Sequence, residues 1–423
     1  MMILNVEPMM PFLLTWLVAI PLGNTAALMS PTPLQPKFNA NVNALDSLLN
    51  DLTPYAHLPL EESVTFPPRA YTSQELFELE REKIFRPGWI CVGHKAQLPA
   101  KGDYVTMDIL GELMVVVNNG DRVQVLSRIC THRWAPVVEQ GTGSCNKFTC
   151  PFHLWSFDLT GECVATPFMD DVKDFDRSQY PLHEYRSETV GGFVYVNIDG
   201  QAEPLAPQLA EMTKFLENWD TENVEVYIDL EYDCEFNWKI AVETFMECYH
   251  HFGAHSDTFE PNFPANLTWT EDARPAFTVG HAAPRPGRQV SAFELGLPHF
   301  PNLQTVSEKQ SFALFNVFPL QLVHAMPDRI FWMRLQPITA DRTVVRTFAL
   351  VPPITAEMPD FEQVRQEQTE MTNSINLEDI GVNLMQQIGA RSGVVKPGRH
   401  HSRLEKALWQ LNTYVAKKLL AME

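Results

Sequence analysis

The spacing of apolar and polar positions changes period twice along this chain. Thr72 and Glu75 carry the spacing of a capping box. Behind them Leu76, Phe77, Leu79, Ile84 and Phe85 recur at helical intervals until Pro87-Gly88 ends the run. After Trp89 the period falls to that of a strand. Residues 104–109, 113–118 and 122–127 are short runs rich in β-branched side chains, and Asn118-Asn119-Gly120-Asp121 supplies a hairpin signal between the last two. Residues 193–198 form a further strand between Gly191-Gly192 and Asp199-Gly200. A helical period returns at 208–219, followed by a strand at 224–230 and a stretch from Asn237 to Asp257. Strands at 311–318, 330–336 and 343–351 precede two helices, 360–387 and an amphipathic one at 402–420. Between Asp257 and Ser311 the pattern is weak and rich in Pro and Gly, read as loops over a pocket.

This succession predicts an α+β protein: an N-terminal all-β domain, then a larger domain with an antiparallel sheet flanked by helices. The divisions expected are 1–30, an arm and helix over 31–87, the β domain over 88–200, and the second domain over 201–423. Residues 9–22 are apolar but too few to span a bilayer, and Thr25-Ala26-Ala27 has the small residues of a cleavage region. No Lys or Arg precedes them, and Glu7 sits where positive charge belongs. The reading favours a start placed too far upstream, with Met29 the true start, over a targeting segment or a structural arm. A formal net charge of −20 over 423 residues excludes nucleic acid and anionic membrane surfaces as partners of choice. Seven cysteines, an odd number in a long chain, suit reduced thiols and metal ligands better than a disulfide framework. A reducing compartment, the cytoplasm, follows, with organellar targeting by residues 1–30 left open.

Chemistry concentrates in two places. The stretch from Asn237 to Asp257 holds His250, His251 and His255 with Glu243 and Glu247. On a helix Glu247 and His250 share a side, as do His251 and His255, whereas His250 and His255 diverge by roughly 140°. Two His and one carboxylate with open positions make the facial triad of non-haem Fe(II) oxygenases. For His250 and His255 to share a metal, the helix must be distorted or broken. Histidines this close also serve packing and hydrogen bonding, so the cluster alone decides nothing.

The second place does. Cys130-Thr131-His132 is followed after seventeen residues by Cys150-Pro151-Phe152-His153, each pair on its own loop of the β domain. Two thiolates on one iron and two imidazoles on the other are the Rieske form of a [2Fe-2S] cluster. The rival, a tetrahedral zinc site, shows wider or more regular spacings. Cys145 and Cys163 have no partner at ligand spacing and read as ordinary thiols.

With Cys-Thr-His-Arg, Cys-Pro-Phe-His-Leu-Trp, Asn-Trp-Lys and Glu-Cys-Tyr-His-(four residues)-His in order, the chain from about Arg86 onward resembles the catalytic α-subunit of Rieske non-haem iron oxygenases. These hydroxylate aromatic rings or demethylate at oxygen or nitrogen. The resemblance implies a Rieske domain before a catalytic domain with a curved antiparallel sheet. It implies Cys130, His132, Cys150 and His153 as cluster ligands and His250 and His255 as ligands of a mononuclear Fe(II). Asp379 is the third ligand, with Glu378 in reserve, and Glu247 is the catalytic carboxylate bridging the two metal sites. His251 is left out, although helical spacing alone pairs it with His255. Thr244 stands where many members have Asn, which puts any role of that Asn in doubt.

The resemblance also implies NAD(P)H electrons delivered by a separate reductase, through a ferredoxin in some systems, and a head-to-tail homotrimer. No G-x-G-x-x-G fingerprint occurs here, in keeping with an outside reductase. The function expected is oxygenation, hydroxylating or demethylating a small organic molecule. Ring cis-dihydroxylation is the alternative, and a non-catalytic Rieske electron carrier the more distant one. Phe312, Phe315, Phe318, Phe331 and Trp332 line either a pocket or a core, and His324 is expected as a structural or pocket residue rather than a fourth ligand. Substrate, β-subunit and reductase are not legible.

Overall fold

A computed structural model describes residues 42–287 and 297–422, so the expectations for residues 1–30 and for part of the loop region after Asp257 lie outside the described residues. Two seven-stranded antiparallel sheets dominate. The first runs, edge to edge, Trp89–His94, Phe193–Asn197, Glu184–Val190, Val123–Ser127, Glu112–Asn118, Asp103–Ile109 and Thr142–Ser144. A small sheet of Phe148–Thr149, Ser156–Phe157 and Cys163–Ala165 adjoins it in sequence. The turn joining Glu184–Val190 to Phe193–Asn197 needs its glycines. Gly191 and Gly192 both have positive φ, and a Cβ on Gly192 would press into the His94 ring.

The second sheet runs Glu225–Cys234, Arg342–Val351, Ile330–Thr339, Gln321–Ala325, Ala313–Val317, Phe277–Ala282 and Thr268–Thr270. The helices are α1 (Val42–Leu52), α2 (Gln74–Glu80), the short α3 (Leu205–Gln208) and α4 (Ala210–Phe215), α5 (Trp238–Met246), the long α6 (Phe361–Ala390) and α7 (Lys406–Leu419). The architecture is the expected α+β one: strands first, then a larger antiparallel sheet with helices.

Side chains of successive strand residues point to opposite faces, and this sorts the second sheet. Phe315, Val323, Ile330 and Trp332 face a core shared with Trp89, Phe193 and Trp219. Leu314, His324 and Phe331, cross-strand neighbours in one row, lie on the other face and line a cavity. The long aromatic runs therefore divide: Phe312 and Phe331 reach the cavity, whereas Phe315, Phe318 and Trp332 are core.

Four expectations need correction. Ser73, not Thr72, caps α2, its Oγ accepting from Leu76 N at 3.2 Å. Thr72 is spent closing the preceding turn Pro68–Tyr71. The helix expected over 208–219 is broken at Leu209 and Leu216, whose backbones leave helical geometry. Strands Phe277–Ala282 and Thr268–Thr270 lie in the region read as loops. The first is buried on both faces and interrupted by Gly280, so no alternation betrays it. The stretch from Asn237 is not several turns of helix, because α5 stops at Met246 and Glu247 is extended (φ −126°, ψ 149°).

The Asn237-Trp238-Lys239 segment turns out to anchor α5. Asn237 caps the helix, accepting from Lys239 N at 3.0 Å. Lys239 Nζ donates to Glu80 Oε1 at 2.5 Å, and Trp238 Nε1 donates to Glu80 Oε2 at 2.8 Å. Glu80 and Lys239 are fully buried, so α2 and α5 are joined by an ion pair that water never reaches. Removing one partner strands the other charge. Lys239→Met is expected to cost about 3–5 kcal/mol of stability. Adding Glu80→Gln to that variant should recover the larger part. Urea unfolding followed by tryptophan fluorescence would measure both.

Candidate metal centres

The two Cys-His loops are conformational twins. Cys130 N donates to Ala135 O at 2.9 Å and Cys150 N to Trp155 O at 2.8 Å. Each cysteine carbonyl accepts from the residue four positions on, Trp134 N and Leu154 N, both at 3.0 Å. Trp134 and Leu154 are left-handed (φ 63° and 60°), a conformation side chains of this size rarely adopt. The loops bring all four predicted residues together. The Cys130 and Cys150 thiols are in hydrogen-bonding reach of each other. The His132 and His153 rings lie 4.6 Å apart, and His132 stacks on the buried Trp155. Nδ1 of both histidines is buried without a partner among the described residues, as suits a metal-ligating nitrogen. Two sulfurs and two such nitrogens fit a Rieske cluster.

At the second centre the end of α5 matters more than its length. Because Glu247 is extended, a 3-10 turn (Tyr249–Phe252) and further turns carry His250 and His255 round to one point. Asp379 arrives there from α6. One ligand atom from each of His250, His255 and Asp379 lies within 4.8 Å of the others. His250 Nδ1 donates to Glu247 Oε1 at 2.8 Å, and His255 Nδ1 donates to Glu378 Oε2 at 2.6 Å. Each imidazole is thus held from behind by a carboxylate, leaving Nε2 toward Asp379 Oδ1, at 3.4 Å and 2.9 Å. Glu378, read as the reserve ligand, sits behind His255 and also accepts from Thr258 Oγ1 at 2.9 Å. His251 is turned away, its Nδ1 donating to Phe263 O at 3.0 Å.

The electrostatics follow this division. Burial disfavours a charged His250, but hydrogen bonds to Asp379 and Glu247 outweigh it and hold its pKa up at about 10. His255 is raised against the same opposition by Asp379 and Glu378. Burial works against the Asp379 carboxylate too, yet both histidines pull it well below the ordinary range. The site therefore favours positive charge between its donors, and two nitrogens with one carboxylate oxygen fit a divalent iron. His251 and His324, whose burial meets no carboxylate hydrogen bond, are pushed down to about 3 and stay neutral.

The triad opens onto the cavity. One wall is the row Leu314, His324 and Phe331 with Met333, and the opposite wall is α6. Met371, Thr372, Ile375, Asn376 and Asp379 line it at spacings of one helix face. Thr244 also lines it, its Oγ1 donating to Asn383 Oδ1. Thr372, Arg329, Phe245 and Phe259 escaped the sequence reading. Stepping back from Asp379 at helical intervals would have found the first.

Residues 88–176 match the Rieske [2Fe-2S] domain, and residues 221–421 match the catalytic domain of the ring hydroxylating alpha subunit. A carnitine monooxygenase oxygenase subunit of Escherichia coli is 33% identical over 244 residues, 56% of this chain and 63% of the relative. One from Acinetobacter pittii is 34% identical over 198 residues, 45% and 52% of the two chains. The chain thus spans between half and two thirds of these relatives' length. A glycine betaine monooxygenase oxygenase subunit of Pseudomonas aeruginosa is 24% identical over 94% of this chain and 96% of its own. In fold, a quaternary ammonium Rieske monooxygenase in complex with L-carnitine superposes with TM-score 0.73, 23% identity, and 86% and 98% coverage. Naphthalene 1,2-dioxygenase from Rhodococcus sp. superposes at 0.74, 19% identical, with 90% and 99% coverage. Carrying both domains in this order, the chain belongs to the Rieske-type ring-hydroxylating oxygenase α-subunits, a family built around one [2Fe-2S] cluster and one mononuclear iron.

Proposed function

We propose that this protein is the oxygenase component of a Rieske non-haem iron system that hydroxylates or oxidatively demethylates a small organic substrate. The observation that carries this reading is the His250–His255–Asp379 cluster, its donor atoms within 4.8 Å of one another at the wall of a largely apolar cavity. Cys130, His132, Cys150 and His153 hold the cluster, and His250, His255 and Asp379 the iron. When bound, these groups supply single-electron transfer and dioxygen chemistry. The chain's own work is orientation. Glu247 and Glu378 fix the two imidazoles, and α6 holds Asp379 against them. Phe245, Phe259, Phe312 and Phe331 keep water scarce around the substrate and offer ring faces to a cation. Quaternary ammonium compounds are the substrate class that the named relatives favour.

Electrons come from NAD(P)H through a separate reductase, directly or by a ferredoxin. The working assembly is a head-to-tail trimer in which Glu247 accepts from His250 and from His153 of the partner subunit. What supports this reading is the large apolar side chains exposed on the two regions such a contact would join. Trp134 (80% exposed), Phe152 and Leu154 stand on the Cys-His loops, and Phe168 (93%) on a later loop of the same domain. Tyr249, Phe252 (74%), Leu377, Met385 and Ile388 stand on the segments carrying the triad. Patches of this kind mark interaction sites. Within each chain the divisions are an arm and helix over 31–87, a Rieske domain over 88–200 and a catalytic domain over 201–423. Among the described residues, no helix is long and apolar enough to cross a membrane.

Iron and acid-labile sulfide on anaerobically purified protein should come to about three and two per chain. His250→Ala or Asp379→Ala should lower iron to about two and leave sulfide alone; two irons in all three proteins would reduce the chain to an electron carrier. Glu247→Gln should keep both metals yet lose turnover roughly 10- to 100-fold in reductase-coupled oxygen uptake. Full activity in that variant would remove the bridge. Sedimentation velocity should give a species of about three chains, driven toward monomer by Trp134→Asp with Phe168→Asp.

A further inference from the structure

The wall of the cavity beyond the triad carries polar atoms with nothing to bind. His324, on strand Gln321–Ala325, is buried, and its ring Nε2 is enclosed without a partner among the described residues. Thr372, across from it on α6, is buried too, and its Oγ1 has no partner. Gln368, one helical turn before Thr372, gives its carbonyl oxygen to Arg329 and keeps an unpartnered Nε2. His324 and Thr372 both line the cavity, among Phe312, Met326, Phe331 and Met333. The nearest charges are already matched: Arg329 Nε and Nη2 donate to the two oxygens of Asp328 at 3.0 and 2.8 Å.

Folded proteins leave few buried polar atoms unpaired, because each lost its water on folding and gained nothing in exchange. Two on the wall of one cavity, with a third a helical turn behind, point to a partner that the ligand brings. Burial, with Arg329 and His251 nearby, holds His324 neutral, so its ring offers one N–H. Thr372 offers a hydroxyl and Gln368 an amide N–H, and all three can donate. Donors without a competing free carboxylate suit an oxygen acceptor, and a charged one best. Thr372 precedes Asp379 by seven residues, nearly two turns of α6, so both face the cavity about 10 Å apart along the helix.

We propose that His324 and Thr372, supported by Gln368, form the anchoring subsite for a carboxylate on the substrate, fixing how far its reacting end lies from the triad. This deepens the oxygenase reading and rests on it. In these terms His324 and Thr372 set specificity, and the substrate is a short molecule with a carboxylate at one end and the oxidised group at the other.

The test uses holoenzyme with wild-type iron content and three probes: L-carnitine and glycine betaine, which carry a carboxylate, and tetramethylammonium, which does not. Calorimetry should show Thr372→Val and His324→Phe each weakening the better carboxylate probe about tenfold. Tetramethylammonium should move less than twofold. In oxygen uptake the change should fall on KM rather than kcat, and Thr372→Ser should restore it. Thr372→Val is nearly isosteric, so it decides the matter if His324→Phe fails to fold. Equal weakening of all three probes, no weakening, or a wild-type protein that binds neither carboxylate probe overturns the subsite. Selective weakening by calorimetry without oxygen uptake from any probe would keep the anchor and sink the oxygenase reading instead.

Discussion

Two imidazoles and a carboxylate can meet at one point only if the backbone between them abandons its helix. The rest of the second domain is built to make that departure stable. His250 and His255 lie five residues apart, a spacing that a continuous helix would splay. Ending α5 at Met246 removes the conflict, and Glu247, freed into an extended conformation, turns its carboxylate onto His250. A truncated helix needs holding, since its last turn has little of its own to secure it. The buried contact of Glu80 with Trp238 and Lys239 does this at the other end of α5. Asp379 arrives from a helix of 30 residues that also supplies Glu378. Carboxylates therefore surround the histidines front and back, and the site holds positive charge whether that is a proton or a metal ion.

The Rieske loops solve the same problem by different means. Each ties its cysteine into a tight backbone circuit and leaves one bulky residue, Trp134 or Leu154, in a left-handed conformation at the rim. Such residues carry strain that persists only when the surroundings enforce it, and they gather at functional sites. Here they push apolar side chains into solvent beside the pair of orphaned imidazole nitrogens. Rigidity around the metal and stickiness at the rim are consequences of one loop geometry.

Much of this was readable from residue order, and the limits have physical causes. The meeting of the Cys-x-His and Cys-x-x-His pairs was legible because residues that act together from two loops keep short, fixed spacings. Four strands of the first sheet, read at 104–109, 113–118, 122–127 and 193–198, were legible because β-branched runs and an Asn-Gly turn leave little choice of structure, whereas Trp89–His94, Glu184–Val190 and Thr142–Ser144 went unread. The helix break was inferable only as a condition, because Glu247 follows a good helical pattern and tertiary contacts decide where it stops. Strand Phe277–Ala282 was lost because burial on both faces erases alternation. The aromatic residues from Phe312 to Trp332 were ambiguous until the register of Leu314, His324 and Phe331 showed which parity faces the cavity. Glu378 and Asp379 are adjacent, and spacing could not assign one to the centre and the other to the back of His255.

The position of Asp379 on α6 has an evolutionary corollary. The same rigid rod carries Asp379 beside His250 and His255 and, a turn or two before it, further residues of the cavity wall. Exchanges at 371, 372, 375 or 376 would lengthen, shorten or re-polarise the chamber in steps of about 5 Å while leaving position 379 where it is. A lineage could thus drift from one small molecule to another through single codon changes on one helix. Its oxygen chemistry would stay insulated from the experiment, because the wall and the reactive end vary independently along one rod.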